Sequence, residues 1–155
     1  MGMRRKGREI TLQVLYAIDF PDKTSSIDAY EALNNYLEQL DGLCLEAEIK
    51  KTSSVYEFAL DLIKNTLINI EEIDDMIKSQ SENWEFSRLA LIDKNILRMA
   101  TYEIVLKKIH PAIIINEAIE IAKKFSTENS GKFINGILDS IYKKAKENFN
   151  EKTCL

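Results

Sequence analysis

Apolar residues recur at helical spacing along almost the whole chain, and that periodicity points to an all-α fold. Ile10, Val14 and Ile18, with Leu15 and Ala17 beside them, predict a helix from about Arg4 to Ile18 that ends before Pro21. A second helix is expected from Ser26 to Gly42, with Ile27, Tyr30, Leu33, Leu37 and Leu40 on one side. Val55, Phe58, Ala59, Leu62, Ile63, Leu67 and Ile70 form the next stripe, opened by Ser54 and Glu57 as a capping box. Only 5 glycines and 2 prolines in 155 residues leave little material for the turns of a sandwich or barrel.

Past Glu72 to Lys78, the polar stretch Ser79 to Asn83 reads as a hinge, so the expected architecture is about seven helices in two packed three-helix sub-bundles. Their expected limits are residues 1–80 and 81–145 of a single domain reaching residue 150, with 146–155 as a flexible tail. From Asp93 onward Ile96, Leu97, Met99, Ala100 and Ile104 are apolar on nearly every side, which makes that helix central. His110 and Pro111 break it. Two further helices carry Ile115, Ala118, Ile119, Ala122 and Phe125, and then Phe133, Ile134, Ile137, Leu138 and Ile141. Gly136 in the last of these is expected to admit a close neighbouring helix.

Enzymatic chemistry finds no support in these residues. The five glycines form neither a phosphate-cradling loop nor a nucleophile elbow. His110, the only histidine, stands before a proline with no Cys, Asp or Glu within five positions, and reads as a solvated loop residue. Asp74 and Asp75 read as a solvated helix face. Cys44 and Cys154 lack the spacing of a metal site and read as reduced thiols. The expectation is therefore no catalytic residue, no metal and no cofactor. No apolar run approaches the roughly 20 residues of a membrane span, and Glu9, Thr11 and Gln13 interrupt any signal-peptide core, so a cytoplasmic protein is expected.

The net charge of −4 conceals a strong segregation. Residues 1–18 carry Arg4, Arg5, Lys6 and Arg8 against Glu9 alone, residues 19–93 hold 6 basic and 17 acidic groups, and residues 94–155 hold 11 basic and 7 acidic. A polyanion could dock on both basic ends if folding brings them together, while the acidic middle would repel and orient it. The C-terminal region adds aromatic rings: Lys123, Lys124, Phe125, Ser126, Asn129, Ser130, Lys132 and Phe133 surround one short interhelical loop. Cations for phosphates and ring faces for splayed bases are the requirements of single-stranded RNA recognition. Phe133 also shares the stripe of Ile137, so core and RNA-facing roles stay open for it.

The opening run Arg4-Arg5-Lys6-Gly7-Arg8-Glu9, continuing through Leu12-Gln13-Val14-Leu15-Tyr16, resembles the start of the NusB family of transcription antitermination factors. The resemblance continues in Ile92 to Glu103 and His110-Pro111. It is strongest in Ile115 to Phe125 and in Lys132 to Asp139. It implies an all-helical protein that binds boxA-type RNA with NusE, a small-subunit ribosomal protein, within an RNA polymerase complex reading through terminators in ribosomal RNA operons. It further implies that Arg4, Arg5, Lys6 and Arg8 are the arginine-rich RNA segment. Lys124, Phe125, Ser126, Asn129, Lys132 and Phe133 would contact RNA from the loop. Asp93 would be an acidic contact for NusE, with Lys94 and Arg98 beside it. Monomer and homodimer both remain open.

Gly7 and Ser126 depart from the residues common at those positions, which bears on the shape of the RNA groove. Two rivals stand beside this reading. One is the NusB-like accessory domain of ribosomal RNA methyltransferases, which predicts an attached catalytic domain with a glycine-rich cofactor loop. The other is a protein-interaction scaffold whose basic end is merely solubilising.

Overall fold

The structure is a computed structural model that describes residues 2–18, 26–80 and 84–153, with side chains described from 35 in the second helix and to 148 in the last. Its helices are α1 (Met3–Ile18), α2 (Ser26–Glu46), α3 (Ser54–Ile68), α4 (Ile70–Lys78), α5 (Leu91–Thr101), α6 (Pro111–Phe125) and α7 (Ser130–Thr153). A short 3-10 turn spans Phe86–Arg88, and a π-helical turn spans Tyr102–Leu106 directly after α5. No strand occurs among the described residues. The chain divides into two compact units at Glu71 and Glu72, inside α4. Pro21, the Ser81 to Asn83 part of the expected hinge and Cys154 lie outside the described residues.

In the first unit α1, α2 and α3 pack pairwise as a three-helix bundle. Leu40 and Cys44 of α2 are buried with Ala59, Leu62 and Ile63 of α3, while Leu37, expected inside, is exposed and Tyr36 takes the buried position instead. Gly42 does not end α2. The helix continues to Glu46 and closes where Glu48 adopts a left-handed φ of 56°, with the Ile49 N–H donating to the Cys44 carbonyl at 2.8 Å. The cap of α3 is Ser53 rather than Ser54: its hydroxyl accepts from the Tyr56 N–H at 3.2 Å.

Gly7 is the one glycine whose lack of a side chain the packing requires. A Cβ there would stand 2.6 Å from Cδ1 of Phe58, so the α3 ring lies directly on the α1 backbone. Replacing a helical glycine by alanine gains about 1 kcal/mol of propensity, but overpacking costs roughly 1–3 kcal/mol. Gly7→Ala should therefore lower stability in urea unfolding, and in a Phe58→Ala background the same change should become stabilising. Stabilisation by Gly7→Ala in the parent chain would contradict the close approach.

A polar clasp joins α2 to α3. The Tyr56 hydroxyl donates to Asp41 at 2.7 Å, and Lys51 donates to the other carboxylate oxygen at 3.0 Å. The Tyr56 hydrogen bond, then that of Lys51, holds the Asp41 carboxyl below its ordinary range, while burial and the Asp41 contact push the Tyr56 phenol up to about 12. A phenol raised on folding supports the fold fully below its ordinary value of 10, and that support is lost as pH rises toward 12. Tyr56→Phe should reduce stability at neutral pH and flatten the alkaline loss between these values, as read by urea midpoints across a pH series. An unchanged alkaline limb would show that another group sets it.

In the second unit α5, α6 and α7 pack together. Every residue of α5 from Lys94 to Thr101 is buried, the polar Lys94, Asn95, Arg98 and Thr101 along with the apolar Ile96, Leu97, Met99 and Ala100, so the helix is central in its unit. Ile114, Ala118, Ile121 and Ala122 form the buried stripe of α6, a face rotated from the expected one, since Ile115 and Ile119 are only half-buried. Pro111 opens α6 at a position where its missing N–H costs nothing, and His110 caps it, Nδ1 accepting from the Ala112 N–H at 3.2 Å. Gly136 admits no close neighbour: a Cβ there would meet nothing within 4 Å. α7 runs through to Thr153, so residues 146–153 continue the helix where a tail was expected.

Candidate nucleic-acid interface

The turn between α6 and α7 is built on a carboxylate. Asp93, in the first turn of α5, accepts from the Ser126 hydroxyl at 2.6 Å through Oδ1 and from the Ser130 hydroxyl at 3.0 Å through Oδ2. The Ser126 and Ser130 hydroxyls lie 2.9 Å apart, and Thr127 is 2.9 Å from Ser130. The Ser126 N–H closes α6 on the Ala122 carbonyl at 2.8 Å. Both ends of the turn are therefore tied to one anionic group, which favours a single turn geometry over an ensemble.

Around this frame the side chains that sequence proposed for RNA are displayed. Lys124, Asn129 and Lys132 are exposed, and Phe125, Ser126 and Phe133 are half-buried. The Lys124 ammonium lies 5.4 Å from the Phe125 ring centroid, so cation and ring form one unit. Phe133 is neither core nor fully open. Its ring meets Trp84 edge to face, with centroids 5.5 Å apart and planes at 77°.

In the first unit, α1 has no acidic residue in its first turn and begins instead with Met3, Arg4, Arg5 and Lys6. Cations at the positive end of a helix dipole are mutually unfavourable, and a phosphate placed there relieves both effects. Arg4 is exposed, and Arg5 and Lys6 are half-buried. Arg8 differs from the expectation: it is 5 % exposed, with its guanidinium 5.2 Å over the Phe58 ring. It holds that ring in the bundle, and its burial removes it from the accessible cations.

The three residues expected to meet a protein partner are mainly internal. Arg98 is 1 % exposed and binds Asp74 through two hydrogen bonds, Nε to Oδ1 at 2.8 Å and Nη2 to Oδ2 at 3.0 Å, with Asn95 accepting from Nη1 at 3.0 Å. Lys94 is 4 % exposed, its ammonium 4.8 Å from the centroid of Phe86. Neither side chain can reach a partner without unfolding around it. Of the three, Asp93 alone is half-buried rather than buried, and both its oxygens already serve the turn. Asp74 is correspondingly no solvated helix face: it is 5 % exposed and neutralises a buried arginine.

Sequence reasoning passed over Trp84 and Phe86. Phe86 is buried, with Lys78, Lys94 and Arg98 all directed at its ring at 5.0, 4.8 and 5.6 Å. An aromatic residue on each side of Glu85, in a segment short of apolar periodicity, was the available signal.

The NusB family model matches residues 5–143, which takes in both units and all the residues above from Arg5 to Phe133. The chain belongs to the NusB family. The transcription antitermination protein NusB of Thermodesulfovibrio yellowstonii is 43% identical over 141 residues, covering 90% of this chain and 91% of its own. A crystal structure of antitermination factors NusB and NusE in complex with dsRNA matches with a TM-score of 0.74 at 29% identity, covering 92% of this chain and 97% of that one. The NusB of T. maritima matches with a TM-score of 0.70 at 36% identity, covering 97% and 98%. The NusB resemblance read in the opening run and from Ile92 to Asp139 is thus borne out, and the match over residues 5–143 also takes in the interval between those blocks. No helix among the described residues is long and apolar enough to cross a membrane.

Proposed function

We propose that this NusB-family chain is a transcription antitermination factor that binds boxA-type single-stranded RNA together with the ribosomal protein NusE and promotes read-through in ribosomal RNA operons. It acts without catalysis, in the cytoplasm, as an adaptor within an RNA polymerase complex. The observation that carries this reading is the α6–α7 turn, where exposed Lys124, Asn129 and Lys132 and half-buried Phe125 and Phe133 surround a frame fixed by Asp93. RNA takes phosphate contacts from Arg4, Arg5 and Lys6 and from the two turn lysines, and takes base stacking and polar contacts from Phe125, Ser126, Asn129 and Phe133. Arg8 contributes by holding Phe58 against α1. NusE binds a surface separate from them.

The test uses Arg4→Ala, Arg5→Ala and Lys6→Ala combined, leaving the buried Arg8 intact so that stability is not confounded with affinity. Labelled boxA-type RNA titrated in the presence of NusE should bind about ten-fold more weakly, from three charge contacts, exposed at Arg4 and half-buried at Arg5 and Lys6, of roughly 0.2–1 kcal/mol each. NusE binding measured without RNA should be unchanged. Equal loss of both would contradict separate surfaces, and unchanged RNA affinity would favour the scaffold reading.

A further inference from the structure

We propose that Trp84 is a base-stacking residue, forming with Phe133 an aromatic corner that receives an unpaired base of single-stranded RNA. This rests on the RNA-binding reading above and extends it to a residue outside the basic and loop segments. The pair geometry is the first support. At an interplanar angle of 77° one ring presents its edge to the other's face, so the ring presenting its edge has neither face covered by its partner and the other has one face left. A pair serving only to fill a core would have these faces buried, yet both rings are half-buried.

Preorganisation is the second support. Trp84 is two residues from Phe86, which is buried beneath Lys78, Lys94 and Arg98. Phe133 is three residues from Ser130, whose hydroxyl is held by Asp93. Both rings are therefore carried on anchored backbone, and a base entering the corner meets surfaces whose ordering cost has already been met. Exposed Lys132, adjacent to Phe133, is positioned on the same turn of α7 to engage a phosphate. A stacked base typically contributes enough that removing the ring weakens binding roughly 5- to 150-fold.

Trp84 is the only tryptophan in the chain, so its emission reports on this corner alone. The full chain would be titrated with a short boxA-type single-stranded RNA, following anisotropy of the labelled RNA and, separately, tryptophan emission with unlabelled RNA. The expected result is quenching that saturates with the anisotropy change. Trp84→Leu should weaken binding within the range above, whereas Trp84→Phe should retain most of the affinity. Urea midpoints check that both variants fold; if Trp84→Leu does not, emission of the parent chain and the affinity of Trp84→Phe decide. Anisotropy change without quenching, or quenching with unchanged affinity of folded Trp84→Leu, overturns the stacking role while leaving RNA binding intact. Absence of any anisotropy change overturns the RNA reading itself, and this proposal with it.

Discussion

Arg98→Met should destabilise the protein by about 3–5 kcal/mol, because it strips the arginine partner from a carboxylate that is almost wholly buried. Arg98 and Asp74 are 1 % and 5 % exposed and joined by two hydrogen bonds, so removing Arg98 leaves the Asp74 carboxylate buried without them, and removing Asp74 takes both from the guanidinium. A loss of that size is a large fraction of the roughly 5–15 kcal/mol that holds a domain folded. Asp74→Leu alone should be similarly damaging. The double variant Arg98→Met with Asp74→Leu should recover most of the loss, since an apolar pair of comparable volume avoids the desolvation of both ions. Chemical unfolding of the three variants measures this cycle. Additive losses in the double variant would show that the pair is not the energetic unit the geometry indicates.

The second large effect concerns Asp93. Its carboxylate accepts from Ser126 and Ser130, and hydrogen bonds to charged groups contribute about 1.5–3 kcal/mol each. Asp93→Ala should free both hydroxyls, and amide exchange across residues 126–130 should accelerate well beyond any change in the rest of the second unit. RNA affinity should fall with it, because Lys124, Lys132 and Phe133 would no longer be displayed on one turn geometry. Asp93→Asn, which keeps one acceptor oxygen, should lie between the two. Unaltered exchange in the turn, or RNA affinity equal to the parent despite faster exchange, would contradict a positioning role.

The helical architecture was legible because its signal is local. Ile10, Val14 and Ile18 define a face within one helix, and α1 falls within a residue of its predicted limits. Helix ends were less legible. Gly42 has the residue type of a terminator, yet α2 ends on a left-handed Glu48, a conformation that sequence assigns to glycine or asparagine first. The cap shifted from Ser54 to Ser53 because adjacent serines offer the same chemistry. The π-helical turn at Tyr102–Leu106 left no trace in periodicity, since five residues of shifted hydrogen bonding do not disturb a buried face.

The candidate site was legible in its outline and misread in its internal wiring. Clusters of cations and rings around residues 124–133 are visible as composition. Partners 24 and 33 positions apart, such as Asp74 with Arg98 or Asp93 with Ser126, are not. For the same reason Asp74 read as solvated, Arg8 read as open, and Lys94 and Arg98 read as surface contacts. Trp84 passed unnoticed because its significance comes from Phe133, 49 residues away.

The proposal that cations of α1 and cations of the α6–α7 turn each contribute to RNA binding is tested most directly by the salt dependence of boxA-type RNA binding in the presence of NusE. The account predicts that log affinity falls linearly with log salt, with a slope of roughly −0.7 per phosphate neutralised. Substituting Arg4, Arg5 and Lys6 by alanine should flatten that slope, and so should Lys124→Ala with Lys132→Ala. Binding that is absent, independent of salt, or unchanged in slope for either set of variants would contradict it.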